Sequence, residues 1–406
     1  MSNRLPRDRW FRTACVAVGA SAVLCANTLA AQKPHVFPAA KPEDVGMSSD
    51  ELNAAVGAVK KWVDDERIIG AVMLVIRDGK TVLYEALGWS DRERMIPMRT
   101  DNIVSMRSMT KPIVGTAAMM LREEGKLRLE DRVAHYLPSF DNPKSRDITV
   151  FQLLTHTSGI KGDIYVATGG TQYKTLREAV DAVGARGPEF PPGTDYFYSD
   201  PGTSTVGALI AERSGMLAED YIRTRILEPL GMKDSFLVDD PASPLRTRVA
   251  AAYQRRPSRG PWVRYWDNTM PPIVPFFRAS GGLYSTVMDY ARFMAVMLGR
   301  GQLDGVRLLS PESVSLATQP HADYVYPAAR RAEMDRFYGL NWDVRTDKYR
   351  PVEAPFSSGI FSHAGSDGTN AWADPNRNLI IVWITQSRGN DTRLEFIRLV
   401  YSALLK

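Results

Sequence analysis

The chain has 406 residues, of which 44% are hydrophobic and 24% charged, with a formal net charge of +5. Those fractions belong to a globular protein of roughly two or three domain-sized units, and a core that large needs no disulfide or metal to hold it. No basic block outside the first thirty residues argues for nucleic acid, so the partner expected is a small molecule.

The N-terminus stands apart. Arg4, Arg7, Arg9 and Arg12 precede a charge-free run at residues 13–26, and small residues follow to Ala30 and Ala31. A basic start, a short apolar core and a small-residue exit predict a secretory signal peptide over residues 1–31, and hence an exported, periplasmic or secreted protein. The 14-residue apolar run is short for a bilayer span. An uncleaved anchor and a lipoprotein signal are the rival readings. Leu24 stands before Cys25 where a lipoprotein signal wants a small residue, and no Arg-Arg pair supports a twin-arginine route. Without residues 1–31 the net charge falls to +2, and the only two cysteines, Cys15 and Cys25, are gone. A cysteine nucleophile, a disulfide and a Cys-ligated metal are then excluded.

Ser48 and Glu51 have capping-box spacing, and Leu52, Val56, Val59 and Val63 follow at helical intervals. Apolar runs at 71–76 and 81–86 flank Asp78-Gly79, which predicts a hairpin. Residues 369–373 and 379–385 read as strands joined by the turn Pro375-Asn376-Arg377-Asn378, and Leu394, Ile397, Val400, Tyr401 and Leu404 predict a terminal amphipathic helix. The expected fold is α/β (α+β). One antiparallel sheet is built from both ends of the mature chain (32–108 and 331–406) and flanked by helices. A mainly helical domain (109–330) is inserted, with loops at 184–193 and 257–275, and the active site lies in the cleft between the two parts.

No Gly-x-Ser-x-Gly and no His-Glu-x-x-His is present, and the five histidines (His35, His135, His156, His321 and His363) have no metal-ligand spacing. No metal and no cofactor is expected. Two Ser-x-x-Lys segments exist, Ser108-Met109-Thr110-Lys111 and Ser158-Gly159-Ile160-Lys161. About one is expected by chance in a chain this long, so the spacing alone decides nothing. Helix context does. Serine and lysine at i, i+3 share one helix face, and Ile113, Thr116, Ala117, Met120 and Leu121 continue a helix past Lys111, with Pro112 tolerated in its first turn. Ser158 is followed by glycine and reads as a loop serine with a structural role.

Serine becomes a nucleophile only when a base takes its proton, and Lys111 can do that only when neutral. Its pKa must fall from about 10.4 towards 7, roughly 4 kcal/mol, which desolvation and neighbouring dipoles or cations can supply. A second group should relay the proton. Tyr198-Ser199-Asp200, after the turn Pro191-Pro192-Gly193-Thr194, is the candidate, with Tyr196 as competitor. His363-Ala364-Gly365, just before the strand at 369, is the third piece.

The ordered set Ser108…Lys111, Tyr198 and His363…Gly365 resembles the serine β-lactamase and penicillin-binding-protein superfamily, in its class C-like branch of β-lactamases, D-alanyl-D-alanine carboxypeptidases and family VIII carboxylesterases. Leu153-Leu154-Thr155-His156-Thr157-Ser158-Gly159, Glu228-Pro229-Leu230-Gly231-Met232, Ala279-Ser280-Gly281-Gly282 and Phe337-Tyr338-Gly339-Leu340 are similar to that branch too. The resemblance implies an acyl-enzyme on Ser108, proton transfer by Lys111 and Tyr198, and an oxyanion hole from the N–H groups of Ser108 and Ser366. It also places Asp200, His363 and Gly365 against the substrate. Two positions depart from the pattern. Asp200 replaces the usual Asn; ionised, it only accepts hydrogen bonds and favours protonated Lys111 unless it points away or is neutral. His363 and Ala364 replace Lys and Thr, the groups that hold the free carboxylate of β-lactams and D-Ala peptides. The departures favour neutral esters. A D,D-peptidase, amidase or β-lactamase is the runner-up, and a non-catalytic cell-wall peptide-binding module is the third reading.

Overall fold

The structure is a computed structural model that describes residues 37–162, 164, 173–255 and 260–405; the expected signal segment at 1–31 lies outside these residues. In chain order the elements that frame the site are α1 (Ser49–Asp64), β1 (Gly70–Arg77), β2 (Lys80–Asp91), β3 (Ile96–Pro97), α2 (Thr110–Glu123), α3 (Leu176–Arg186), α4 (Asp200–Ser214), α5 (Val287–Leu298), β4 (Arg336–Tyr338), β5 (Asp343–Arg345), β6 (Phe361–Ala364), β7 (Asn370–Asp374), β8 (Leu379–Thr385) and α6 (Thr392–Ser402).

The eight strands form one antiparallel sheet in the order β4-β5-β6-β7-β8-β1-β2-β3. The N-terminal hairpin and the C-terminal strands meet at β1 and β8, with Ala71 opposite Thr385 and Arg77 opposite Leu379. Asp78 (φ +52°) and Gly79 (φ +71°) make the left-handed turn that the hairpin needs.

Alternation along the central strands sorts side chains onto two faces. Ala71, Met73, Val75, Ile381 and Trp383 pack against Leu52, Val59 and Trp62 of α1 and Phe396, Ile397 and Val400 of α6. Trp383 stacks on Phe396 at 4.6 Å between ring centres. Val72, Leu74, Ile76, Val382 and Ile384 face the other way, into a core shared with Ile113, Val114, Val206, Leu209 and Phe293 of α2, α4 and α5. Helix α1 is capped by Ser48, whose side chain accepts from the Glu51 N–H, but the box that the spacing suggests is only half made, since the Ser48 N–H donates to the Ala403 carbonyl at 2.7 Å.

Between α2 and β4 the described residues are helices, turns and short strands. Two details differ from the sequence reading. Gly184 lies inside α3 rather than in a loop; a Cβ there would sit 2.6 Å from the Phe140 ring, so the glycine marks a close packing contact, not a turn. Within the stretch read as a loop at 257–275, Val263–Trp266 is a strand that pairs with Ala252–Gln254, which in turn pairs in parallel with Ser387–Arg388. Neither short strand carries a period-2 pattern long enough to be legible.

Among the described residues no helix is long and apolar enough to cross a membrane.

Candidate active site

Helix α2 is buried along almost its whole length; every residue from 110 to 121 is buried. A helix hydrophobic all round belongs in a core, so its first turn is held from all sides. The Met109 carbonyl accepts from the Tyr290 hydroxyl (2.8 Å), the Arg107 carbonyl from Thr110 Oγ1 (2.7 Å), and Thr110 Oγ1 from the Leu283 N–H (3.0 Å). Ser108 sits in the short 3-10 turn that leads into this helix and is half-buried.

Lys111, one turn on, is fully buried. Its Nζ lies 3.3 Å from Ser108 Oγ, 2.6 Å from Asp200 Oδ1 and 2.9 Å from the Ser280 carbonyl oxygen. It also sits 4.6 Å from the centre of the Tyr198 ring. Asp200 therefore points at the lysine, which settles the orientation that its residue type left open. Burial raises the Asp200 pKa, but the adjacent ammonium outweighs it and holds the carboxyl below its ordinary value. The carboxylate also stands in the first turn of α4, where the helix dipole favours negative charge.

Tyr198 precedes the N-cap of α4, Ser199, whose side chain accepts from the Gly202 N–H at 2.9 Å. The Tyr198 hydroxyl is close enough to Ser108 for the serine to favour its ionised form. Burial, with the Asp200 charge, outweighs that influence and raises the phenol pKa, so Tyr198 holds its proton at neutral pH. Its competitor Tyr196 packs instead against His156, Tyr326 and Tyr338. His156 supports Tyr198 from behind. Its Nδ1 accepts from the Ser199 N–H at 3.1 Å, and its ring lies 4.5 Å from that of Tyr198.

On the sheet side, His363 is buried on β6. Its Nε2 is 2.7 Å from the Tyr338 hydroxyl and its Nδ1 is 2.9 Å from the Ala364 carbonyl oxygen. A carbonyl only accepts, so Nδ1 carries the hydrogen and Nε2 accepts from Tyr338. Burial, then the Lys111 charge, pushes the His363 pKa down to about 3. This histidine is neutral and both of its nitrogens are engaged within the protein.

Gly365 brings the end of β6 against the segment that carries Ser108. A Cβ at 365 would meet the Met106 carbonyl oxygen at 2.5 Å and Arg107 Cβ at 3.2 Å. Thr369 Oγ1 donates to the same Met106 oxygen at 3.1 Å. Ser366 thereby lies beside the Ser108 turn, and among the described residues neither the Ser108 nor the Ser366 N–H donates to another protein group.

The structure thus brings Ser108, Lys111, Tyr198, Asp200, His363, Gly365 and Ser366 into one place. Sequence reasoning named the segments that hold Ser280 and Tyr338 but gave neither residue a role; the Ser280 carbonyl receives Lys111, and Tyr338 fixes His363. It missed Arg107 and Asp367, joined by a 2.6 Å ion pair. A backbone carbonyl has no residue signature, and Arg107 and Asp367 are 260 positions apart.

The Beta-lactamase family model matches residues 55–403, and the chain belongs to that family. It is a serine hydrolase of the β-lactamase and penicillin-binding-protein superfamily. It is 31% identical over 369 residues to Protein Rv1367c of Mycobacterium tuberculosis, covering 82% of this chain and 90% of that one. It is 27% identical over 281 residues to esterase EstB of Burkholderia gladioli, covering 62% and 71%. In fold it resembles the solved structure of EstCE1, a hydrolase with promiscuous acyltransferase activity, at a TM-score of 0.73 and 21% identity, over 88% of this chain and 99% of that one.

Proposed function

We propose that the protein is an exported carboxylesterase that works through an acyl-enzyme on Ser108. The observation that carries the ester preference is the state of His363. In the superfamily this position helps hold a substrate carboxylate, but here the ring is neutral, with its pKa pushed down to about 3, and both nitrogens are occupied. Ala364 has no side-chain donor. A neutral ester suits such a site better than a free carboxylate does. The esterase among its relatives supports the same reading.

In the proposed mechanism Ser108 Oγ attacks the ester carbonyl and its proton passes to neutral Lys111. The N–H groups of Ser108 and Ser366 receive the developing oxyanion, and the positive end of α2 points the same way. The Tyr198 phenol gives its proton to the departing alkoxide and regains one from Lys111, which leaves acyl-Ser108 and free alcohol. In the second half Tyr198 and Lys111 take a proton from water as it attacks the acyl carbon, and Ser108 leaves with that proton. Asp200 acts against the first step: at 2.6 Å it favours the ammonium form of Lys111, so a proton must be lost before acylation.

The test compares wild type with Ser108→Ala on a p-nitrophenyl ester, a chromogenic cephalosporin and a D-Ala-D-Ala peptide. Ester turnover by the wild type alone is expected. Faster cephalosporin or peptide turnover with little ester cleavage would overturn the ester assignment. For export, a mature N-terminus near Ala31 or Gln32 is the expected result, and an intact Met1 would contradict it.

A further inference from the structure

We propose that the buried Arg107–Asp367 ion pair is a positioning device that sets the two oxyanion-receiving N–H groups, those of Ser108 and Ser366, in register. The proposal rests on the reading of Ser108 as nucleophile. Arg107 immediately precedes Ser108, and Asp367 immediately follows Ser366. Arg107 is 4% exposed and Asp367 is 0% exposed. Arg107 Nε donates to Asp367 Oδ2 at 2.6 Å, and the Tyr265 hydroxyl ties the same groups together, accepting from Arg107 Nη2 and donating to Asp367 Oδ2 at 2.6 Å each. The other carboxylate oxygen accepts from Arg388 Nε at 2.7 Å.

The backbone explains why this contact bears on chemistry. The Ser108 N–H belongs to the peptide plane between residues 107 and 108, so its direction follows the Arg107 dihedral angles. Arg107 has φ +52°, a left-handed conformation that a non-glycine residue keeps only when its surroundings impose it. The side-chain bonds to Asp367 and Tyr265 supply that imposition. On the other strand, Gly365 N–H donates to the Thr369 carbonyl (2.8 Å) and Gly368 N–H to the Gly365 carbonyl (3.1 Å), which closes a tight turn around Ser366 and Asp367. Pinning Asp367 pins that turn. The pair thus joins two segments 260 residues apart at the positions that flank the two amides.

Stability alone does not account for the arrangement, since apolar residues of similar volume commonly replace a buried ion pair at no loss. Its charge is also useful. Arg107 and Arg388 face one carboxylate, which leaves an excess positive charge beside the place where the oxyanion forms.

The test uses the full chain with Asp367→Asn, Arg107→Lys and the double replacement Arg107→Met/Asp367→Leu, which removes both charges together. Readouts are kcat and KM on a p-nitrophenyl ester, affinity for an arylboronic acid as a tetrahedral mimic, and thermal melting. The double variant is expected to melt near the wild type yet lose kcat on the order of 10²-fold, with KM changed by less than about threefold and boronic-acid affinity falling in step. Arg107→Lys keeps the charge but not the fork that spans Asp367 and Tyr265, and should lose kcat by about tenfold. Asp367→Asn should fall between these two. If the charge-removing variants do not fold, Arg107→Lys carries the test. Wild-type kcat in any folded variant, or a loss that matches only the unfolded fraction, overturns the proposal. Labelling of wild-type Ser108 by a fluorophosphonate separates the two failures: no label refutes the nucleophile, whereas a label with unchanged variants refutes only the positioning role.

Discussion

Ser108 and Ser158 are each followed three residues later by lysine, and the fold gives the two pairs opposite surroundings. Lys111 is fully buried, with Nζ 3.3 Å from Ser108 Oγ and 2.6 Å from Asp200. Lys161 is only half-buried, 3.6 Å from Glu189 and over the rings of Phe190 and Phe197. The serines differ too. Ser108 is half-open at the head of a 14-residue helix. Ser158 is buried, its Oγ accepting from the Ile160 N–H at 3.4 Å, and Gly159 with φ +77° prevents a helix there. The same four-residue spacing therefore brings serine and lysine into contact only where a buried helix start puts both on one face.

The sharpest way to break this contrast is to remove each serine in turn. Ser108→Ala is expected to lower ester kcat on the order of 10³-fold or more. Ser158→Ala should leave kcat intact and cost at most about 1–2 kcal/mol of stability from its lost backbone bond, read by thermal melting. Equal losses in the two variants would erase the distinction. The lysines come next. Lys111→Met should leave a folded protein that does not turn over ester, since the loss of a buried charge is offset by an apolar side chain of similar length, although Asp200 loses its partner. Lys161→Met should leave ester kcat near the wild type and cost little stability, because a partly exposed ion pair is worth about 0–1 kcal/mol and the methionine side chain keeps the contact with both rings.

Each region also holds a buried neutral histidine, His363 beside Lys111 and His156 two residues before Ser158. Burial, then neighbouring charge, lowers both pKa values, that of His363 to about 3. Between pH 6.5 and 3 the unfolded chain takes up a proton that the folded His363 refuses. Stability is therefore lost as pH falls, by up to about 1.4 kcal/mol per pH unit for one such group. Urea unfolding of His363→Gln across this range should give a slope shallower by one proton; an unchanged slope would mean that His363 is charged in the folded protein. The smallest effect sharpens the active pair itself. Asp200→Asn removes the anion that favours protonated Lys111, so the acidic limb of the kcat/KM profile should move to lower pH. No movement would mean that the ion pair does not control the base.

Much of this was legible in the sequence. Apolar runs on either side of Asp78-Gly79 and of the turn at 375–378 marked the strands, because one face of each is buried by α1 and α6 and the other by α2, α4 and α5. Ser108 was legible because a helix pattern follows it. Orientation was not. Asp200 could face Lys111 or avoid it, and only the start of α4 decides. The neutrality of His363 depends on Tyr338, which sits on another strand. Gly184 read as a loop residue because the Phe140 ring that needs its missing Cβ is distant in sequence.

Acylation of Ser108 can be caught by trapping the intermediate. After rapid acid quench with a slowly hydrolysed p-nitrophenyl ester, mass spectrometry of the digested protein should find one acyl group on the peptide that contains Ser108, and none in Ser108→Ala. An acyl group on any other residue, or undiminished turnover in Ser108→Ala, would contradict the account.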